Sequence, residues 1–104
     1  MVQLKISSEN AVQKIRERME ALAKLQENTG GPAYYDLVRW GTETWPVIDS
    51  IYGSENPHSE ELRTLSLANC SCNATLRAMY LSEAYESRLT SYLDEIEKSG
   101  INRA

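Results

Sequence analysis

The stretch Tyr34–Tyr52, YYDLVRWGTETWPVIDSIY, separates into an apolar and a polar face when it is placed on a helical wheel at about 100° per residue. The apolar face contains Tyr34, Leu37, Val38, Trp40, Gly41, Thr44, Trp45, Val47, Ile48, Ile51 and Tyr52. The separation continues through Pro46, which falls on the polar face. Proline lacks an N–H and crowds the carbonyl four residues earlier, so the pattern predicts one helix with a kink. Gly53 follows as its C-cap, and Gly41 is expected to allow close approach of a neighbouring helix.

The residues before this stretch predict another helix that ends near Gln26. Its apolar stripe consists of Ala11, Val12, Ile15, Met19, Leu22 and Leu25. Ser7 or Ser8 is a suitable N-cap, and Glu9 places a negative charge in the first turn, where it is favoured. The segment 28–32, NTGGP, supplies a glycine C-cap and a proline that stops the helix. Such a short connection favours an antiparallel return.

Two further helices are expected after Gly53. The third is short and begins either with Asn56 as N-cap and Pro57 at the first position or with Ser59 as N-cap. A loss of helical phase predicts a break within residues 67–73. The fourth helix, residues 73–98, has the stripe Ala74, Ala78, Leu81, Tyr85, Leu89, Tyr92 and Ile96. Gly100 is expected to end it.

These elements predict an all-α fold, an antiparallel bundle of three long helices and one shorter helix. A chain of 104 residues forms one core and therefore one domain, residues 1–104. Residues 1–7 are expected to be an extended lead-in, and residues 100–104 a tail or the start of a linker.

Charge and apolar content restrict the partners. A formal net charge of −4 without a basic stripe disfavours nucleic acid. No apolar run approaches the ~20 residues of a membrane span, and no signal peptide is visible, so a cytoplasmic protein without a membrane partner is expected. Cys70 and Cys72, one residue apart, are expected to stay reduced.

The residues offer little chemistry, and we expect no catalytic residue, no cofactor and no metal. His58 is the only histidine, and at a helix start it is expected to be exposed. Cys70, Cys72 and His58 do not form a zinc knuckle. The acid pairs at helical spacing lie on polar faces, where a solvated surface is expected; they are Glu17 with Glu20, Glu83 with Glu86, and Asp94 with Glu97. The alternative is a small helical enzyme or ligand binder, similar to nucleotide pyrophosphohydrolases, that uses helix carboxylates.

The leading hypothesis is a protein–protein interaction or assembly module that forms a homo-oligomer. Leu76, Met79 and Tyr80 lie off the stripe of the fourth helix, so the third helix or another subunit must cover them. Tyr35 lies on the polar face of the second helix and has no core to enter. These four residues are predicted to form a partner surface, because aromatic residues and methionine are enriched at interfaces.

The spacing from Trp40 through Thr44, Ile48 and Ile51 to Tyr52-Gly53-Ser54 resembles a small helical domain at the N-terminus of uncharacterised bacterial and archaeal proteins. In that domain a tryptophan-bearing helix ends in an aromatic-glycine turn, and the last helix closes near a Leu-x-x-x-Ile motif. In this chain the closing match is Leu89 to Ile96, with Leu93 between them. The resemblance covers most of the chain in element order, and Pro46 departs from it. It implies an adaptor or assembly segment of prokaryotic antiviral or signalling systems, and it transfers no catalytic residue.

Overall fold

The computed structural model describes residues 4–27, 32–65 and 73–101, apart from the side chains of residues 74 and 99–101. Within these residues the fold is all-α, with four helices and no strand. Helix α1 spans Ser8–Gln26, α2 Tyr34–Tyr52, α3 Pro57–Arg63 and α4 Ala74–Ile101. In this part of the chain no helix is long and apolar enough to cross a membrane.

The helix starts follow the local sequence. The Ser7 hydroxyl accepts a hydrogen bond from the Asn10 N–H (3.2 Å) and caps α1. The Asn56 side chain accepts one from the His58 N–H (2.9 Å) and caps α3, with Pro57 in the first turn. Of the predicted starts for α3, the structure therefore has the one at Asn56. Asn73 accepts a hydrogen bond from the Leu76 N–H (2.9 Å) at the start of α4.

The helix ends agree with the sequence in part. Gly53 ends α2 with a φ of +99°, a conformation that strains residues with a Cβ. Helix α1 ends at Gln26 with Glu27 in the cap position, and the predicted glycine cap lies outside the described residues. Helix α4 continues to Ile101, three residues past the predicted last residue 98, so Gly100 does not end it as expected. The predicted break between α3 and α4 is consistent with their bounds, although residues 66–72 and both cysteines lie outside the described residues.

The core is formed by the predicted stripes. Its buried apolar residues are Ala11, Ile15, Leu22, Leu37, Trp40, Ile48, Ile51, Tyr52, Leu62, Ala78, Leu81, Tyr85, Leu89, Tyr92, Leu93 and Ile96. Leu4 and Ile6 pack against this core, and the Lys5 N–H donates to the Ile51 carbonyl (2.7 Å) near the end of α2. This bond ties the lead-in to α2 and satisfies one of the helix-end carbonyls.

Helix α2 is continuous through Pro46, which is exposed to solvent. Gly41 is buried, and a Cβ there would lie 3.4 Å from the Tyr85 hydroxyl, an ordinary van der Waals contact, so the approach of α4 does not require a glycine at this position. The Trp40 indole N–H donates to the Arg18 carbonyl of α1 (2.9 Å), and the Trp40 ring contacts Tyr85 of α4. The middle of α2 therefore contacts both α1 and α4.

Candidate functional site

Large apolar side chains are exposed at one end of the molecule. They are Tyr34, Tyr35, Val38, Leu76 and Tyr80, each between 37% and 70% exposed. All five lie within the first two turns of α2 or α4. Ring contacts between Trp40 and Tyr85 (5.0 Å) and between Tyr52 and Tyr92 (5.7 Å) follow the same order along both helices. The starts of α2 and α4 therefore lie at the same end, and we call these five residues the apolar end patch.

The apolar end patch contains three of the four predicted partner residues. Tyr35 is the most exposed, and the Arg39 guanidinium lies 5.4 Å from its ring centroid. Leu76 and Tyr80 are also exposed, whereas Met79 is half-buried. Tyr34 and Val38 were expected on the apolar face of α2, but they lie at its edge and remain exposed. The side-chain pattern placed Tyr34 and Val38 on the correct face of α2. It did not show that the other helices leave this part of the face uncovered.

His58 is not the exposed residue that its sequence position suggested. Its side chain is 26% exposed, and both ring nitrogens have partners. Nδ1 lies 2.8 Å from the Asn56 Oδ1, and Nε2 lies 3.0 Å from the Glu95 Oε1 on α4. The ring stacks on Tyr52 of α2, with 4.4 Å between centroids and an interplanar angle of 9°. His58 of α3 therefore contacts both α2 and α4.

Glu61 extends this contact one turn further along α3. The Tyr92 hydroxyl of α4 donates its single proton toward the Glu61 Oε1 (2.8 Å) and the His58 carbonyl (2.9 Å). Arg88 forms a longer ion pair with Glu61 (3.4 Å). The hydrogen bond from Tyr92 lowers the pKa of the Glu61 carboxyl, with a further contribution from Arg88. The carboxylate thus links α3 to two residues of α4.

Two buried hydroxyls in the same region have no hydrogen-bond partner among the described residues. They belong to Tyr52, which is 3% exposed, and to Ser59, which is 2% exposed. Burial raises the pKa of the Tyr52 hydroxyl, and the negative charge of Glu95 raises it further. Burial likewise raises the pKa of Tyr92, together with its hydrogen bond to Glu61. We refer to Tyr52, His58, Glu61, Arg88, Tyr92 and Glu95 as the His58 cluster.

An open cleft of about 200 Å³ lies over the His58 cluster. It is lined by Pro57, His58, Glu61, Arg88, Ser91, Tyr92 and Glu95. Across the cleft, the His58 Nε2 lies within hydrogen-bond distance of Glu95 (3.0 Å), and Arg88 forms an ion pair with Glu61 (3.4 Å). In chemical terms, the arrangement joins α3 to α4 by hydrogen bonds and ion pairs.

The predicted acid pairs do not take part in this cleft. Glu17, Glu20, Glu83, Glu86, Asp94 and Glu97 are all exposed. Within the described ranges, no group of three or more histidine, cysteine or acidic residues is arranged to hold a metal ion.

Sequence reasoning did not identify the His58 cluster as a site. The Asn56-Pro57 start placed His58 in the first turn of α3, but Glu95 is 37 residues away along the chain. No spacing rule connects two helices whose relative position is unknown. The available signal was that Tyr92 belongs to the buried stripe of α4, because a buried tyrosine hydroxyl usually finds a partner.

Comparisons of the chain with protein-family models, with curated proteins and with solved structures found no match.

Proposed function

We propose that this chain is a protein–protein interaction or assembly module that forms homo-oligomers through the apolar end patch. The observation that carries the proposal is the grouping of five exposed large apolar side chains at the starts of α2 and α4. Isolated exposed apolar residues are ordinary, but a group at one end of a small domain is typical of an interaction surface. Tyrosine suits such a surface because its ring gives apolar contact and its hydroxyl remains hydrated.

The proposal includes the finer arrangement of the helices. We propose an up-down bundle of α1 to α4 with a kink in α2 at Pro46. Contacts of Gln26 with Ser82 (3.4 Å) and of Arg16 with Glu97 (3.5 Å) support opposite directions for α1 and α4. Such a module fits a cytoplasmic adaptor or regulator in a prokaryotic defence or signalling system, the role implied by the sequence resemblance.

Light scattering at several protein concentrations tests the oligomer. We expect the mass to rise above that of a monomer, and the double variant Leu76→Asp with Tyr80→Ala to keep the monomer mass. Thr90→Asp is the matched control, because Thr90 is an exposed position of α4 far from the apolar end patch. A monomer at every concentration, or the same mass for the wild type and the double variant, would contradict the proposal. Circular dichroism of both variants verifies that they fold.

The second candidate is a small-ligand binder or enzyme that uses helix carboxylates, and the cleft over the His58 cluster is the observation that favours it. Glu61 and Glu95 line this cleft from α3 and α4. The test follows nucleoside triphosphates with Mg²⁺ by phosphorus NMR, for the wild type and for Glu95→Gln. Release of pyrophosphate by the wild type alone would support this candidate, and unchanged triphosphate signals would reject the pyrophosphohydrolase activity.

A further inference from the structure

Helix α3 depends on its neighbours for stability. It has seven residues, and isolated helices shorter than about 12–15 residues are marginal in water. Its buried residues are Ser59 and Leu62, so a single aliphatic side chain anchors it in the core. The other contacts of α3 are the stack of the His58 ring on Tyr52 (4.4 Å) and a set of polar contacts.

These polar contacts lie at both ends of α3. Arg63 pairs with Asp49 of α2 (3.0 Å) and also donates to the Ser54 carbonyl (3.0 Å). A second ion pair joins Glu61 to Arg88 (3.4 Å), and a hydrogen bond joins the His58 ring to Glu95 (3.0 Å). The side chains in all three contacts are between 26% and 49% exposed. Salt screens charge pairs that water reaches, so the ion pairs weaken as ionic strength rises.

Two buried hydroxyls at the same contact oppose the attachment. The hydroxyls of Tyr52 and Ser59 are buried, and neither has a hydrogen-bond partner in the part of the chain that the structure describes. A buried hydroxyl without a partner is unfavourable, and water satisfies it as soon as the helix leaves. The contact of α3 thus combines screened ion pairs with two unfavourable buried groups.

We propose that α3 is a releasable cover, which opens from α2 and α4 as a unit while the three long helices remain packed, and which salt helps to release. Opening exposes the rings of Tyr52 and Tyr92. The opening does not depend on the proposed function, since it concerns the other end of the α2–α4 contact.

Amide hydrogen exchange on the whole chain, measured by NMR at constant pH, tests this proposal. The amides of Glu60 and Thr64 report on α3, because they donate to the carbonyls of Asn56 (3.1 Å) and Glu60 (2.9 Å). Amides in the middle of α1 report on the bundle. Between about 0.05 and 1 M salt we expect exchange in α3 to become about fivefold faster, because the exposed ion pairs that hold α3 are screened. Exchange in α1 should change much less.

Two variants move the exchange of α3 in opposite directions. Glu61→Gln removes the charge that Arg88 and Tyr92 contact, and should make exchange in α3 about fivefold faster. Ser59→Ala removes a buried hydroxyl without a partner, and should make it about fivefold slower. Arg16→Gln is the matched control, because it breaks an ion pair between α1 and α4 and should leave α3 unchanged.

Three results would overturn the proposal. If the free energy of opening from amide exchange is the same for α3 and α1, α3 separates only when the whole chain unfolds. Salt-independent exchange in α3 would show that the ion pairs do not hold it. Faster exchange for Ser59→Ala would show that its hydroxyl has a stabilising contact. The same exchange measurement on the double variant Leu76→Asp with Tyr80→Ala separates the opening of α3 from self-association. We expect α3 to open in this variant as in the wild type, even if both proteins are monomers.

Discussion

Two neighbouring tyrosines of the His58 cluster should respond oppositely to loss of the hydroxyl. Tyr52 and Tyr92 are equally buried, at 3% exposed, and their rings are in contact. The Tyr92 hydroxyl has two acceptors within 2.9 Å, whereas that of Tyr52 has none among the described residues. Replacing each by phenylalanine keeps the ring and removes only the polar atom. The change in stability therefore depends on the partners of the hydroxyl.

The magnitudes follow from those partners. Tyr92→Phe loses a hydrogen bond to a carboxylate, and such bonds contribute about 1.5–3 kcal/mol. Tyr52→Phe removes a buried group without a partner, whose burial is unfavourable by about 1–3 kcal/mol. We expect Tyr92→Phe to be less stable by about 2 kcal/mol and Tyr52→Phe more stable by about 1 kcal/mol. For a chain of this size, the Tyr92→Phe loss lowers the Tm by roughly 10 °C.

Urea unfolding followed by circular dichroism measures both free energies of unfolding. The m-values should match the wild type, because neither variant changes the surface exposed on unfolding. A loss of stability in Tyr52→Phe similar to that in Tyr92→Phe would refute the reasoning, since it would mean that the Tyr52 hydroxyl has a partner when the chain is folded. A neutral Tyr92→Phe would equally refute the role given to its bond with Glu61.

Three further predictions concern α2 and the alkaline limit of stability. Burial raises the pKa of the Tyr52 and Tyr92 hydroxyls in the folded chain. The stability that depends on their neutral form is therefore complete below the unfolded pKa of about 10, and it is lost as the pH rises above that value. The urea midpoint of unfolding should fall as the pH rises above about 10. This fall should be smaller for Tyr52→Phe than for the control Tyr35→Phe. Pro46→Ala should raise stability by about 1 kcal/mol or more, because proline is unfavourable inside a helix, and a lower Tm would show that the core needs the proline. Gly53→Ala should lower stability by about 1–3 kcal/mol because of its positive φ, and an unchanged thermal transition would contradict this.

Much of the fold could be predicted because it depends on local signals. The two-faced pattern and Gly53 predicted both ends of α2 correctly. Ser7 and Asn56 cap α1 and α3, as their side-chain chemistry suggests. The stripe of α4 from Ala78 to Ile96 is buried as expected. Periodicity and capping operate within a few residues, and a single sequence contains that information.

The candidate sites were less predictable because they depend on the positions of helices relative to one another. The exposure of Leu76, Tyr80 and Tyr35 followed from their place off the stripe, whereas Tyr34 and Val38 were assigned to the inner face. Their exposure depends on how far the contact of α2 extends, which the helical wheel does not show. The contact of His58 with Glu95 depends on where α3 lies across α4, and that position results from packing of the whole core.

The two tryptophans of the chain provide two spectroscopic reporters within α2. Trp40 donates its indole N–H to a carbonyl of α1 (2.9 Å), whereas the buried indole N–H of Trp45 lies near the Tyr85 hydroxyl and forms no well-aligned hydrogen bond among the described residues. Trp45 also lies against Gly41, where α2 meets Tyr85 of α4. Their indole proton resonances should therefore be well separated, with that of Trp40 further downfield. Without any added label, one signal follows the hydrogen bond from α2 to α1, and the other follows the packing around Gly41.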